Sequence, residues 1–247
     1  MKTEISKNRK AKGLLLRMLT YLSAALIFVM LAGIIGYIMY RGIPGITWSF
    51  LTSKPSLINE TIGILPNILN TLYIIVITVA ISLPIGVGAA IYLNEYAINK
   101  KAVRIIELAA ETLSGIPSII YGLVGMLIFV YSLSFGTSII AGAFTLAIMT
   151  LPTVLRTTQE SLKTVAPGLR EGALALGAGK WYMIRTVVLP STVDGIVTGC
   201  ILAIGRITGE SAALLFTAGM ANEVLTPFHA VKPGNAGSTL TVAMYMY

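Results

Sequence analysis

The chain has 247 residues, of which 55% are hydrophobic and 11% are charged, and its formal net charge is +8 at pH 7. A composition so apolar and so poor in charge excludes an ordinary water-soluble domain. Apolar stretches of about 20 residues, the length that crosses a bilayer core, recur along the whole chain and leave no room for a separate soluble domain. We therefore expect a single membrane-embedded domain.

Five apolar runs predict membrane spans, and a sixth run begins near Ser238. The five predicted spans are residues 14–40, 65–93, 106–133, 138–155 and 191–218. Backbone groups cannot stay unpaired in lipid and the alternating pattern of a membrane β-barrel is missing, so each span should be a helix. The predicted fold is an all-α, polytopic transmembrane helical bundle of about six spans.

The two ends of the chain need separate comment. The first apolar run, Leu14 to Tyr40, is too long for the apolar part of a signal peptide and should remain as the first span. The sixth run has only about half the length of a crossing helix, so we expect the protein to continue past Tyr247 with the rest of it.

Three prolines, Pro84, Pro117 and Pro152, lie within or near the ends of predicted spans. Each removes a backbone donor and can kink its helix. Kinks are ordinary in helix bundles, so a structural role and a gating role both stay open.

Basic residues are distributed unequally between the predicted loops. One side of the membrane receives those before span one, after span two and after span four: Lys2, Lys7, Arg9, Lys10, Lys12, Arg17, Lys100, Lys101, Arg104, Arg156, Lys163, Arg170, Lys180 and Arg185. The other side receives Arg41, Lys54 and Lys232. Because cytoplasmic loops carry the excess of Lys and Arg, residues 1–13 are predicted to be a basic cytoplasmic segment that precedes a membrane domain over residues 14–247. The same asymmetry explains the net charge, so we expect membrane lipid around the chain and no nucleic-acid partner.

The longest predicted cytoplasmic segment, residues 156–190, lies between spans four and five. Leu169, Ala173 and Leu176 recur at spacings of four and three, which predicts a short amphipathic helix. Gly177 should end that helix, and residues 181–188 predict a second short helix that stops before Pro190. Composition alone favours a helix pair that rests on lipid headgroups.

The letters EGALALG, followed nine residues later by VVLP, resemble the EAA motif of ABC importer permeases. That motif has Glu-Ala-Ala, a Gly four residues on, and a final Ile-x-Leu-Pro. The positions that match it are Glu171, Ala173, Gly177, Leu189 and Pro190. Gly172 stands in place of the second Ala, and Val187 in place of Ile. The resemblance implies that the short helix inserts into a cleft on a nucleotide-binding subunit, where a compact knob can transmit rigid-body motion.

Nucleotide chemistry is not encoded in this chain itself. The sequence contains no GxxxxGK followed by Ser or Thr, the glycine loop that holds phosphates in ATPases. We therefore expect no bound cofactor, no metal site and no catalytic residues, with ATP used by a partner subunit.

Three longer segments resemble the phosphate ABC transporter permeases of the PstA type. They read TLYIIVITVAISLPIGVGAAIYLNEYA, LSGIPSIIYGLVG and ILAIGRITGESAALLFTAG. The resemblance implies the type I (MetI-like) importer fold and a place in a prokaryotic inner membrane. It also implies three kinds of partner: a PstC-type second permease in a heterodimer, two PstB-type ATPase subunits, and a PstS-type phosphate-binding protein. Sulfate and molybdate importers share the loop motif, so another oxyanion stays open as the substrate.

Charged residues within span five are candidates for the substrate pathway. Arg206 and Glu210 are four residues apart, hence on one face if the span is a continuous helix. Charges at membrane depth normally face protein or water, and a guanidinium is a multidentate donor suited to phosphate. Glu210 would orient Arg206, or the pair would only neutralise itself and lock two spans together. Thr208 and Ser211 would add hydroxyl donors or simply pack.

Two other classes of protein stay as alternatives. A gradient-driven secondary transporter predicts inverted repeats and an unpaired membrane acid, and neither is clear here. A membrane enzyme needs clustered catalytic side chains, which one His and one Cys do not supply. Glu107 and Glu111 lie close to Arg104 in sequence, which predicts an ion pair at the cytoplasmic edge and no transport role.

Overall fold

The computed structural model describes residues 7–55 and 62–246, and every regular element in those ranges is helical. The first six residues, which include Lys2 of the predicted basic segment, lie outside the described residues. The chain divides into two compact units, Met1–Leu51 and Thr52–Tyr247.

The first unit is dominated by α1 (Lys7–Gly42), a helix of 36 residues. A 3-10 turn (Ile43–Gly45) and the short helix α2 (Trp48–Thr52) follow it. Residues Lys12–Gly45 are long and apolar enough to cross a membrane, so the first predicted span is confirmed. Pro44 lies in the 3-10 turn, where its missing N–H ends the regular helix.

The second unit contains ten helices within the described residues. In chain order they are α3 (Leu65–Ile91), α4 (Lys100–Ser114), α5 (Ser118–Gly125), α6 (Ile139–Thr164), α7 (Pro167–Ala175), α8 (Lys180–Met183), α9 (Leu189–Thr208), α10 (Ala212–Thr217), α11 (Pro227–Ala230) and α12 (Leu240–Met246). The second unit also has three π-helical turns. Tyr92–Tyr96 extends α3, Met126–Ser132 extends α5, and Ile184–Val188 joins α8 to α9.

The predicted all-helical, polytopic membrane fold is confirmed. Four helices of the described residues are long and apolar enough to span a membrane, namely Lys12–Gly45, Leu65–Tyr96, Ile139–Thr164 and Lys180–Thr208. A fifth crossing is possible if the bent pair Lys100–Ser114 and Ser118–Ser132 counts as one span. The described part of the predicted sixth run is α12, which has seven residues.

Helix α6 is the centre of the second unit, with 72% of its apolar window buried. Helix α3 packs against it through residues spaced four apart, all of them buried: Asn70, Ile74, Thr78, Ser82, Gly86 and Ala90. The Thr78 hydroxyl donates to the Ala143 carbonyl at 3.3 Å. A Cβ atom on Gly86 would lie 2.8 Å from Val154 Cγ1. Mostly small residues along this face therefore let the two backbones approach closely, which is how helices associate in lipid.

Helix α9 packs on another face of α6 by the same means. Gly195 faces Ser161, and Gly199 faces Thr157, one helical turn apart. A Cβ atom at either glycine would overlap the hydroxyl-bearing side chain opposite. The two glycines therefore set how close α9 lies to α6.

The span predicted at residues 106–133 is not one straight helix. Helices α4 and α5 meet at a bend of 100°. The cause is local, because Gly115 caps α4, and Pro117 both lacks an N–H and disfavours helical backbone at Ile116. The Tyr121 hydroxyl donates to the Leu113 carbonyl at 2.8 Å and so bridges the bend. By contrast, Pro84 and Pro152 lie inside the continuous helices α3 and α6.

Two predicted boundaries around span five are wrong. The second short helix does not stop before Pro190 but runs from Lys180 to Thr208 as one rod. Pro190 is tolerated because the π-turn Ile184–Val188 directly precedes α9, and a local π adjustment accommodates a proline within a membrane helix. The rod then ends at Thr208 rather than at residue 218, since Gly209 caps it and α10 begins at Ala212.

The close α3–α6 contact gives a direct test. Replacing Gly86 with Leu should destabilise the fold by about 1–3 kcal/mol, because the new side chain overlaps Val154. Gly88, two residues away on the same helix, has nothing within 4 Å of its Cβ position, so Gly88→Leu is the matched control. Thermal melting of both variants in detergent measures the difference, and equal melting temperatures would contradict this packing.

Candidate functional site

The segment that carries the EAA-like motif folds into a sharp corner, formed by residues 167–183 and called here the α7–α8 corner. Helix α7 ends in a Schellman motif, in which the Gly177 N–H donates to the Leu174 carbonyl and the Ala178 N–H to the Ala173 carbonyl. Gly177 has φ +82°, a left-handed conformation that glycine adopts without strain. The predicted glycine stop between two helices is therefore confirmed.

The outer surface of the α7–α8 corner is apolar and exposed. Leu174, Leu176, Trp181 and Tyr182 are 49%, 90%, 60% and 65% exposed, and the motif residues Glu171 and Gly172 are exposed as well. Such an apolar surface on a polar loop is typical of a contact site for another protein or for lipid.

The apolar face predicted for α7 is only partly formed. Ala173 packs on the buried cluster beneath the corner, but Leu169 is 50% exposed and Leu176 is 90% exposed. Helix α7 ends at Ala175, so Leu176 belongs to the turn and points away from the core. The last two motif residues, Leu189 and Pro190, lie in the first turn of α9, where Leu189 packs on the same cluster and Pro190 is exposed.

Arg170 fixes the base of the corner to the helix bundle. Its Nε and Nη2 atoms lie 3.1 and 3.0 Å from Glu95 Oε1. Its Nη1 donates to the Val165 carbonyl and its Nη2 to the Leu162 carbonyl, both at 2.7 Å. These carbonyls end α6 and have no partner within that helix. The side chains of Arg170 and Glu95 are only 20% and 7% exposed.

The π-turn Tyr92–Tyr96 holds both sides of the corner. Glu95 binds Arg170 of α7, and the next residue, Tyr96, lies under the Lys180 ammonium of α8 at 4.9 Å from ring centroid to Nζ. Asn94 donates to Glu95 Oε1 at 2.8 Å and orients the carboxylate. Sequence reasoning missed this group and counted Arg170 only as a basic loop residue. The available signal was Glu95, a lone acid at the end of an apolar span.

The second candidate region is the interruption between α9 and α10, where the expected Arg206–Glu210 pair is not formed. Because α9 ends at Thr208, the two residues do not share one helical face. Glu210 Oε1 instead accepts the Ala213 N–H at 3.1 Å, and the Glu210 carbonyl accepts the Thr241 hydroxyl at 2.8 Å. Glu210 thus fixes the start of α10 and contacts α12.

Arg206 is partly exposed in the last turn of α9. Its guanidinium makes no hydrogen bond or ion pair with the residues that the structure describes, although it lies within electrostatic range of Tyr121. The Thr208 hydroxyl donates to the Ile204 carbonyl of its own helix. Ser211 stands at the N-cap of α10 without a side-chain capping bond. In the described ranges Arg206 is therefore an unpaired cation, whereas the Glu210 carboxylate accepts a backbone N–H.

The two interrupted helices meet each other. A Cβ atom on Gly122 of α5 would lie 2.8 Å from the Ala213 Cα of α10, so the backbones are in close contact. Tyr121, the neighbour of Gly122, lies within electrostatic range of Arg206. Interrupted helices at membrane depth occur where the backbone is buried in protein or lines a water-filled cavity. This arrangement makes the α5–α10 contact and Arg206 the best candidates for a transport pathway.

Sequence reasoning also missed Asp194, an exposed residue of α9. Its side chain has no hydrogen-bond or ion-pair partner in residues 7–55 and 62–246. Asp194 and Arg206 lie on one span at a separation of about 18 Å along the axis. Charged side chains are rarely exposed to lipid, so α9 is expected to face water or a second protein.

The acidic residues at the start of the third predicted span form ion pairs with α6 rather than with Arg104. Glu111 Oε1 lies 3.4 Å from Arg156 Nη2, and Glu107 Oε1 lies 3.6 Å from Lys163 Nζ. The pairs line an open cleft of about 430 Å³ between α4 and α6. Both acids do form ion pairs, but the predicted partner, Arg104, is wrong. In the described ranges, no group of three or more His, Cys, Asp or Glu side chains is arranged to hold a metal.

Comparison with known proteins finds a matching family and several relatives. Residues 82–244 match the sequence model of a family described as "Binding-protein-dependent transport system inner membrane component". The chain is 40% identical over 233 residues to "Probable ABC transporter permease protein YqgI" of Bacillus subtilis (strain 168), which covers 92% of this chain and 79% of the relative.

Two further relatives are named for a substrate. The chain is 36% identical over 222 residues to "Phosphate transport system permease protein PstA" of Haemophilus influenzae, covering 88% of this chain and 77% of the relative. It is 35% identical over 210 residues to the protein of the same name from Pasteurella multocida, covering 85% and 75%.

Proposed function

Because the chain belongs to the family of binding-protein-dependent transport system inner membrane components, we propose that it is the membrane-spanning subunit of an ATP-driven phosphate importer. The observation that carries this proposal is the 36% identity over 222 residues to a phosphate permease. The chain itself is a transport subunit. Hydrolysis of ATP is assigned to a partner subunit, since the sequence lacks a phosphate-binding glycine loop.

The proposed substrate agrees with the chemistry of Arg206. A guanidinium stays protonated at any physiological pH and presents several N–H donors to a tetrahedral oxyanion. No carboxylate in the described part of the chain neutralises it, because Glu210 accepts the Ala213 N–H instead. An anion that moves past α5 and α10 would therefore meet the unpaired guanidinium of Arg206. Glu210, Thr208 and Ser211 shape the backbone around that point.

The proposed partners follow from the parts that this chain lacks. A second permease of the PstC type would cover the exposed charges of α9 and complete the pathway. Two ATPase subunits of the PstB type would supply energy, and a phosphate-binding protein of the PstS type would deliver the substrate. The α7–α8 corner, with Glu171, Gly172, Ala173 and Gly177, would dock on one ATPase.

The orientation in the membrane is part of this proposal. With the N-terminus in the cytoplasm, the chain before the first span, the start of α4 and the segment after α6 face the cytoplasm, where the basic residues concentrate. The α7–α8 corner then lies on the side where ATP is available. Docking of an ATPase on this corner requires that orientation, so a docking measurement tests both.

Removal of the Arg206 charge should abolish most phosphate transport. We expect Arg206→Gln to reduce ATP-dependent phosphate uptake by about 10- to 100-fold, the effect of losing charge-assisted hydrogen bonds to an anion. The measurement is uptake of radiolabelled phosphate into proteoliposomes that contain the complete transporter, with sulfate and molybdate as competitors.

The matched control is Arg41→Gln, which removes an exposed arginine at the end of α1. It should leave uptake unchanged. Wild-type uptake in Arg206→Gln would remove Arg206 from the pathway, and stronger competition by sulfate or molybdate than by unlabelled phosphate would refute the proposed substrate.

The turn at Gly177 should matter for docking more than any other small residue of the corner. Gly177→Ala places a Cβ atom on a residue with φ +82°, a strain of about 1–2 kcal/mol that favours another turn geometry. The affinity of the nanodisc-embedded permease for its purified ATPase should fall by about ten-fold. Gly172→Ala, in the middle of α7 with open space around it, should leave the affinity unchanged or higher. Equal affinities for the two variants would rule out the Gly177 turn as a docking determinant.

A further inference from the structure

The strongest polar contact between the α7–α8 corner and the bundle joins three separate segments. Arg170 belongs to α7, Glu95 belongs to the π-turn after α3, and the carbonyls of Leu162 and Val165 end α6. The guanidinium of Arg170 makes three hydrogen bonds of 2.7 to 3.1 Å, and its Nη2 atom also lies 3.0 Å from Glu95 Oε1 in an ion pair. We call this group the Arg170 latch.

The latch is more buried than the two ion pairs between α4 and α6. Its side chains are 20% and 7% exposed, whereas the Lys163–Glu107 pair is 61% and 38% exposed and the Arg156–Glu111 pair 46% and 60%. Water and salt screen the two exposed pairs, which therefore contribute little to rigidity. The latch is shielded, and its planar donor fork fixes direction as well as distance.

A second contact acts on the other side of the same corner. Lys180, the first residue of α8, lies over the ring of Tyr96, the residue after Glu95. Beneath both contacts, Ala173 of α7 packs on a buried cluster that includes Leu162, Met183 and Val188. The corner is thus held at α7, at α8 and from below, and its two polar contacts converge on one π-turn.

We propose that the Arg170 latch is the mechanical coupling element of this subunit, making the α7–α8 corner move as one body with α6 and the end of α3. This inference rests on the proposed function, in which the corner docks on an ATPase. When the docked ATPase displaces the corner, α6 then moves with it. Because α3 and α9 pack on α6, the displacement is passed on to both of these helices. Arg170 and Glu95 act as positioning residues and do not contact substrate or nucleotide.

The test compares two rates in the same proteoliposomes, phosphate uptake and ATP hydrolysis by the complete transporter. In Arg170→Gln, Arg170→Lys and Glu95→Gln, we expect hydrolysis to persist while phosphate imported per ATP falls at least five-fold. Lysine keeps the charge but cannot reach a carboxylate and two carbonyls in the same plane, so Arg170→Lys should not rescue coupling. The matched control is Lys163→Gln, which breaks the exposed pair to Glu107 at the same end of α6. Its ratio of uptake to hydrolysis should equal that of the wild type.

A merely structural role gives a different result. If the ratio of phosphate uptake to ATP hydrolysis keeps its wild-type value in all three variants, even where both rates fall, the latch is not a coupling element. Hydrogen exchange provides a readout that needs no substrate. The α7 amides should exchange at least ten-fold faster in Arg170→Gln while the amides of the first half of α6 keep their wild-type rates, and unchanged α7 exchange would overturn the proposal. A wild-type transporter that hydrolyses ATP without importing phosphate would refute the proposed substrate, and the exchange result would still decide the latch.

Discussion

The guanidinium of Arg170 is the interaction on which the arrangement of this subunit depends. It satisfies carbonyl groups that every helix end leaves unpaired, here those of Leu162 and Val165 at the end of α6, and it neutralises Glu95 in the same step. Removing one partner of such a shielded pair typically costs about 3–5 kcal/mol, because the other charge stays buried without compensation. Without this contact, α7 would be joined to the bundle by chain continuity and a few apolar side chains.

The rest of the fold is suited to transmitting a displacement. Helix α6 receives the latch at one end and packs along its length on α3 and α9. Both interfaces use glycine and small hydroxyl residues, so the helix backbones lie close together. A movement of one helix is therefore passed to the next by direct backbone contact and not through long, flexible side chains. At the far end of α9, the rod stops at Gly209 and α10 follows, which contacts the interrupted helix α5. Arg206 therefore lies at the opposite end of a stiff connection that begins at the α7–α8 corner.

The membrane spans and the EAA-like motif were visible in the sequence, because hydropathy and the spacing of Glu171, Gly177 and Pro190 are local properties. The helix interruptions were not. Pro117 was visible as a possible kink, but a glycine and a proline in sequence do not give the size of the bend, here 100°, and Gly209 looked like one more small residue in an apolar run. Pro190 misled in the opposite direction, since the π-turn before it lets the helix continue past the proline.

Long-range contacts explain the remaining differences. Glu210 was expected to pair with Arg206 because the two are four residues apart, yet its carboxylate accepts the Ala213 N–H after the helix ends. Glu95 and Arg170 are 75 positions apart, so no helical periodicity could connect them. The sequence showed both charges, and only the packing of α3, α6 and α7 shows that they meet.

The central claim, that the corner and α6 move as one body, is tested most directly by a distance measurement between spin labels. In a Cys200→Ser background, labels at Ala175→Cys on α7 and Ile148→Cys on α6 use two exposed positions, and the α6 label lies about 24 Å along the helix from Thr164. In the transporter with its ATPase, the distance should have the same narrow distribution without nucleotide and with bound ATP. A shift of about 5 Å, close to one helical turn, between the two states of the wild type would contradict rigid coupling through the Arg170 latch.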